Sequence, residues 1–469
     1  MKTYIEMFEE IRLFVYKIQK SILFLFVLIS FVSCFQSKDK KIERYIAGTK
    51  DTLFQQSYYF LRQYSSNVEI IPEDIELAVN SCRQALESGE IPFSIFCEYV
   101  LPPIVYNEPF ENWRKACMEE YDFLKGDSIP NVCDKINHSL SKDFKFGHQS
   151  LSPFSMTWSQ LKKIKSGHCY HMAKTVLYPL RALGIPVTID FIHSWGNSTG
   201  MHCWNVAYID GKMVPFMGYE SSPYDYNPFL INQSEPDSSK MIFRYPAKVF
   251  RKTFSTNPEI EALKKDMAQD DISILLVDSK IKDVSAEYFL VTDITLDNLP
   301  EEYANSVVYL SVFSNKWKPV AAAKVKNNKQ VVFTAMKREM LYMLSVWKRG
   351  TIISLSDPFV IDKDGNKKNI TPNFNKTEDF EITTEYLPLK EYLQLSRDKK
   401  KSSVHDEENF ILSYWNNHGE WQMIGNKKIS NGKIRFESVP TNALFYLSDI
   451  TGKKIGRCFV IENGKQVWW

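Results

Sequence analysis

Six of the eight histidines fall between His138 and His202, and Cys169 and Cys203 lie in the same stretch. A thiol with an imidazole is the pair that nucleophilic acyl transfer needs: the thiolate attacks a carbonyl and the imidazole moves the proton. Cys169 follows Ser166-Gly167-His168 and opens a segment, 168–183, with helical apolar spacing and Gly184 where a C-terminal cap belongs. A helix N-terminus supplies leading N–H groups and the positive dipole end, which stabilise a thiolate and can hold an oxyanion. Gly167 is expected to let a substrate backbone approach the thiol. His202 opens the strand after the Gly196–Gly200 loop, which reads as flexible, and is the base. The same residue types ligate metals, but no pair has C-x-x-C or H-E-x-x-H spacing. His202 and Cys203 alternate to opposite faces of a strand, so only one of them could ligate together with the helix. Neither a metal nor a cofactor is therefore expected. Cys203 reads as core packing and His171 as a satisfied or surface histidine.

Those two residues need a helix and a sheet to bring them together. Val187–Ile192 alternates as a strand, and Asp210-Gly211 is a hairpin signal between Cys203–Tyr208 and Lys212–Phe216. A two-residue turn there pairs Trp204 with Met217 and Cys203 with Gly218. Residues 202, 204 and 217 then share a face, with position 217 diagonal to His202.

Four segments carry a resemblance: Ser166-Gly167-His168-Cys169-Tyr170-His171-Met172-Ala173, Arg181-Ala182-Leu183-Gly184-Ile185-Pro186-Val187, His202-Cys203-Trp204-Asn205-Val206 and Asp210-Gly211-Lys212-Met213-Val214-Pro215-Phe216. In order and spacing they resemble the transglutaminase-like superfamily over residues 155–225. PFSIFCEYVLPPIVYNEPFENWR upstream and the terminal ENGKQVWW resemble multidomain bacterial lipoproteins that carry this domain. The resemblance implies a papain-like core, Cys169 as nucleophile, His202 as base, a protein or peptide substrate, and a thioester resolved by water or an amine. It also implies an upstream side chain completing the oxyanion hole, Trp158 or Gln160, with packing the better reading of Trp158. Trp195 and Trp204 flank the Gly196–Gly200 loop and read as channel walls or as core packing. The family places Asp where this chain has Met217, and a thioether cannot orient an imidazolium. Glu220, swung in by a bend at Gly218, is the expected replacement, with Asp225 further along. Left incomplete, the triad would leave a peptide- or glycan-binding module of the cell envelope.

The rest of the 469-residue chain reads as α+β: a helical N-terminal region, the papain-like core, then β-sandwich-like C-terminal domains. The expected divisions are a lipoprotein signal peptide over 1–34, a tether and helical region over 35–150, the core over 151–260, and β-domains over 261–375 and 376–469. Residues 361–382, polar and turn-rich, read as a connection. The apolar run Ser21–Val32 follows Arg12, Lys17 and Lys20; its dozen residues fall short of the ~20 that span a bilayer. It ends in a lipobox-like Ser33-Cys34, so Cys34 is expected to carry lipid and hold an exported protein at a bacterial envelope membrane, the outer one expected. Lys plus Arg (58) nearly balance Asp plus Glu (56), which argues against a nucleic-acid partner.

Overall fold

A computed structural model describes residues 40, 42–64, 70–142, 144–147, 155–231, 242–383, 408–431, 433–452 and 456–469. The expected signal segment and Cys34 lie outside the described residues. The chain divides into two compact units, residues 1–83 and 84–469. The first contains α1 (Thr52–Tyr64) and the start of α2 (Pro72–Ser88). Within it Arg83 is paired with Asp51 at 2.6 Å, and the Gln55 side-chain amide donates to the Ile46 and Thr49 carbonyls.

The second unit is α+β. It continues with α3 (Phe93–Tyr99), α4 (Trp113–Tyr121), α5 (Ile129–Ser141), α6 (Trp158–Ile164) and α7 (Cys169–Ala182). Between them lie two short strands, β1 (Lys145–Phe146) and β2 (Ser166–Gly167), which pair in parallel. The central sheet comprises β3 (Val187–Ile192), β4 (His202–Ile209), β5 (Lys212–Phe216), β8 (Phe250–Lys252) and β9 (Ile281–Asp283), all antiparallel in the order β5-β4-β3-β8-β9. A small ribbon, β6 (Leu230–Ile231) with β7 (Ile242–Phe243), sits between β5 and β8 in sequence. The Asp210-Gly211 turn behaves as its chemistry dictates. Both residues have positive φ (49° and 80°), and the ladder runs from Ile209↔Lys212 to Asn205↔Phe216 in the expected register.

α7 is buried from Tyr170 to Ala182, which its apolar content alone would not predict, since Lys174 and Arg181 lie inside. Each charge has an answer. Lys174 pairs with Glu108 at 2.9 Å, and Glu108 also accepts the Val105 and Tyr106 N–H groups and the Tyr178 hydroxyl. Arg181 donates to the Val187 and Pro102 carbonyls. Asn205 on β4 donates to Ala173 O on the helix and accepts Gly218 N–H. A buried polar group without a partner costs roughly 1–3 kcal/mol, so these bonds fix how α7 sits against β4.

Beyond the core the chain is β-rich. β10 (Val291–Leu296) pairs with β13 (Val331–Lys337), and their shared apolar cluster includes residues of β11 (Val307–Phe313), β12 (Trp317–Lys324), β14 (Met340–Lys348) and β16 (Phe359–Ile361). A second cluster draws on β18 (Asn373–Thr383) and β21 (Lys433–Thr441) together with β19 (Asn409–Trp415), β22 (Phe445–Asp449) and β23 (Phe459–Glu462). Residues 361–382, expected as a connection, instead hold strand Lys367–Asn369 and the eleven-residue β18. β18 turns most of its residues to solvent and only Phe380 and Ile382 inward, so its composition imitates a loop.

Candidate active site

The path into α7 is built residue by residue. Lys165 caps α6 in the left-handed region (φ 47°), the chain straightens through β2, and extended His168 starts α7. His171 reaches back so that its Nδ1 accepts the His168 N–H at 3.4 Å. Its ring fills the space a side chain at Gly167 would need: a Cβ there would stand 2.7 Å from His171 Cβ and Cγ. Gly167 therefore makes room for a buried imidazole.

Cys169 is the first residue of α7 and is half-buried. Cys203, His168 and His202 all lie near enough to act on its thiol. The bond from Cys203 does most to hold the thiol well below its usual range, burial opposes this, and His168 and His202 add to it. Cys203 is driven the opposite way, first by that bond and then by burial, so it stays the protonated donor. The alternation expected on β4 leaves Cys203 in the core, 7% exposed, yet its thiol also reaches Cys169. Alternation separates Cβ atoms; it does not stop two neighbouring side chains converging on one sulfur at a helix tip.

His202 opens β4, paired with Ile192. Its ring is near two indoles: Trp195 is stacked at 6.2 Å and 29°, and Trp204 is tilted at 5.8 Å and 36°. Its Nε2 is 2.7 Å from the Tyr226 hydroxyl. Trp204, expected as a channel wall or as core packing, is fully buried; its Nε1 donates to Tyr288 Oη, which donates to Asp190, and Arg251 clamps Asp190 through two bonds of 2.8 Å. Burial works against the Arg251 charge, but Asp190 and Glu287 outweigh it and hold the guanidinium protonated. Trp195 lies under the Arg244 guanidinium at 4.3 Å and bridges Pro246. The Gly196–Gly200 loop, expected to be flexible, is pinned: Gly196 N donates to Tyr245 O, Asn197 bonds the backbone of Phe243 and Tyr245, and Ser198 O accepts the Ser314 hydroxyl.

The other expected site residues are placed as follows. Met217 is buried with Trp204 and Met172. Glu220 is on an exposed turn, and its charge raises the Tyr226 phenol, after burial. Asp225 is exposed. Gln160 is exposed, and its oxygen accepts the Thr157 N–H at 2.9 Å, closing a capping box. The helix start thus occupies the group expected at the oxyanion. Trp158 is 6% exposed, and its Nε1 is buried with no hydrogen-bond partner among the described residues. No group of three or more His, Cys, Asp or Glu is placed to hold a metal ion among the described residues. Tyr226 carried no sequence signal, since its place depends on the chain folding back over β4.

No protein-family model matches the chain, and no curated protein does. Among solved structures, a cysteine protease candidate from Cytophaga hutchinsonii is 18% identical, covering 24% of this chain and 37% of its own, at a TM-score of 0.20. Red sea bream transglutaminase is 10% identical, covering 80% of this chain and 69% of its own, also at a TM-score of 0.20. The first match spans well under half of the protein it matches. Superpositions this loose carry no argument about this chain, so its chemistry is argued from its own residues.

Proposed function

We propose that this chain is a transglutaminase-like protein with a papain-like core that transfers or hydrolyses amide-linked acyl groups of a protein or peptide substrate. One observation carries the reading: a thiol at the head of a fourteen-residue helix, held below its usual range in part by His202, an imidazole whose Nε2 is bonded to the Tyr226 hydroxyl. The Cys169 thiolate adds to the carbonyl carbon, the C–N bond breaks, and the leaving amine takes its proton from His202. Water or an amine then attacks the thioester as His202 takes a proton, releasing the acyl product and the thiolate. The leading N–H groups of α7 face the oxyanion. Hydrolysis is the default outcome because water is always present. Glu220 acts one link out, through the Tyr226 phenol. We extend the proposal to location: Cys34 carries lipid and tethers the exported chain to a bacterial envelope membrane.

The test is iodoacetamide labelling of the full chain at pH 5.5, read by peptide mass spectrometry. Cys169 is expected to label selectively and His202→Ala to slow this about tenfold or more; equal, slow labelling of all accessible cysteines would overturn the reading. Peptide profiling against a Cys169→Ala control then identifies the substrate. A second reading, a binding module without chemistry, is favoured by one observation, the buried Met217 where the resembled family has a carboxylate.

A further inference from the structure

The hydrogen bond to the outer nitrogen of His202 has no counterpart in what the sequence suggested. The chain leaves β5 at Phe216, and the turn 217–221 folds back on itself: Glu220 N and Ser221 N both donate to Met217 O, and the Ser221 hydroxyl accepts Met217 N–H. Asn137 of α5 locks this turn from outside, donating to Met217 O and Ser221 O and accepting Tyr219 N–H. The chain then turns again, with Asp225 N donating to Ser222 O, and delivers the Tyr226 hydroxyl to His202 Nε2 at 2.7 Å. The indoles of Trp195 and Trp204 pack near the imidazole; a contact in the ring plane is needed to fix its rotation, and Tyr226 supplies it.

We propose that Tyr226 is the positioning residue of the Cys169–His202 pair, a neutral hydroxyl in the place where the resembled family uses a carboxylate. This rests on the Cys–His reading above and deepens it. A carboxylate brings a full negative charge; a phenol accepts from Nε2–H without one, both when the nitrogen facing Cys169 carries a proton and after it has given that proton up, and so keeps the tautomer that can act as the base. One ring orientation therefore serves both halves of the catalytic cycle. Burial, and then the Glu220 charge, keeps the phenol protonated. No negative charge from this partner supports the imidazolium, whose counter-charge is the Cys169 thiolate itself. The other groups facing the pair are His168 at the start of α7, Cys203 on β4, Glu220 on the turn, and Arg244, whose guanidinium senses both Tyr226 and Cys169.

The experiment measures the rate of Cys169 carbamidomethylation in the full chain from pH 4.5 to 9.5, resolved from the other cysteines by mass spectrometry. It compares the native protein with Tyr226→Phe, His202→Ala and, as a control, Tyr224→Phe at an exposed neighbour. Tyr226→Phe keeps the ring and removes the oxygen. It is expected to slow labelling about tenfold at pH 5.5, where the thiolate depends on an aligned imidazolium, and to leave the rate at pH 9.5 unchanged, where any thiol ionises. Tyr224→Phe is expected to follow the native profile. A native-like Tyr226→Phe profile, or one lowered equally at every pH, overturns the proposal; the latter would mark Tyr226 as a packing residue. A second readout needs no variant: in the native protein labelled with ¹⁵N-histidine, His202 Nε2 must show the shift of a hydrogen-bonded nitrogen, and a solvent-like shift overturns the proposal. If instead the native protein labels no faster at pH 5.5 than His202→Ala does, the Cys–His reading itself has failed, and the two failures are told apart.

Discussion

The core around Cys169 and the β-layers that follow it bury different things. Between Glu108 and Lys252 the interior holds Glu108, Arg114, Lys174, Arg181, Asp190, Lys248, Arg251 and Lys252, each less than a tenth exposed. From Ser311 onward, every buried polar side chain among the described residues is a serine. The β-layers are held by apolar packing: clusters built on Val308, Leu310, Phe333 and Tyr342, and on Phe410, Leu412, Phe436 and Phe459. Replacing a buried ion pair by apolar side chains is often neutral or stabilising, so stability does not explain the charges of the core. Their bonds run between elements that must keep a fixed spacing: Glu108 and Lys174 join the segment before α4 to α7, and Asp190 and Arg251 join β3 to β8 beneath Trp204. The core uses costly groups for geometry, and the described β-layers dispense with them.

Breaking a core pair and a β-layer contact should therefore cost similar stability but different reactivity. Asp190→Ala leaves Arg251 buried with only Glu287, and should lower the urea-unfolding free energy by about 3–5 kcal/mol while also slowing Cys169 labelling, because the bonds behind Trp204 are lost. Leu412→Ala should cost about 2–5 kcal/mol and leave Cys169 labelling unchanged. If both changes alter labelling equally, the contrast between the regions is void.

Glu108→Gln should cost about 3 kcal/mol at pH 7, since it strands the Lys174 ammonium. Burial opposes the Glu108 charge, but Lys174 and the Tyr178 hydroxyl outweigh it and hold the carboxyl below its ordinary 4.5. A depressed carboxyl contributes its full stability above that ordinary value and loses it as pH falls through the folded one. Thermal melts of native and variant proteins should thus draw together as pH drops below 4.5; a constant gap would show that Glu108 is not ionised in the fold.

Smaller still is the effect of Cys203→Ala. It removes the thiol that does most to lower Cys169, so labelling at pH 5.5 should slow about threefold to tenfold with little change in melting temperature. An unchanged rate would return Cys203 to packing alone. Last, Ser311 and Ser345 hydrogen-bond each other at 2.8 Å in the β-layer interior. Changing both to Ala should shift stability by less than about 1 kcal/mol, because both polar partners leave together; a loss of several kcal/mol would mean the β-layers also depend on buried polarity.

What could be read from the chain was local. The helix beginning at Cys169, the stop at Gly184, the strand 187–192 and the Asp210-Gly211 turn all follow from near-neighbour spacing and backbone preference, and they put Cys169 and His202 on adjoining elements. β18 was missed because a strand with one wet face has the composition of a loop. The capping role of the Gln160 oxygen, although local, looks in sequence like any upstream amide.

Tyr226, Trp195 and the pinned Gly196–Gly200 loop belong to another class. Tyr226 reaches His202 through a turn that Asn137, more than eighty residues earlier, holds in place, and the loop is fastened by residues 243–246 and Ser314. Period and turn chemistry act over a few residues, so they set which side chains start a helix or end a strand. Which hydroxyl meets which imidazole depends on long loops closing, and the packing that settles it exists only once the chain has folded.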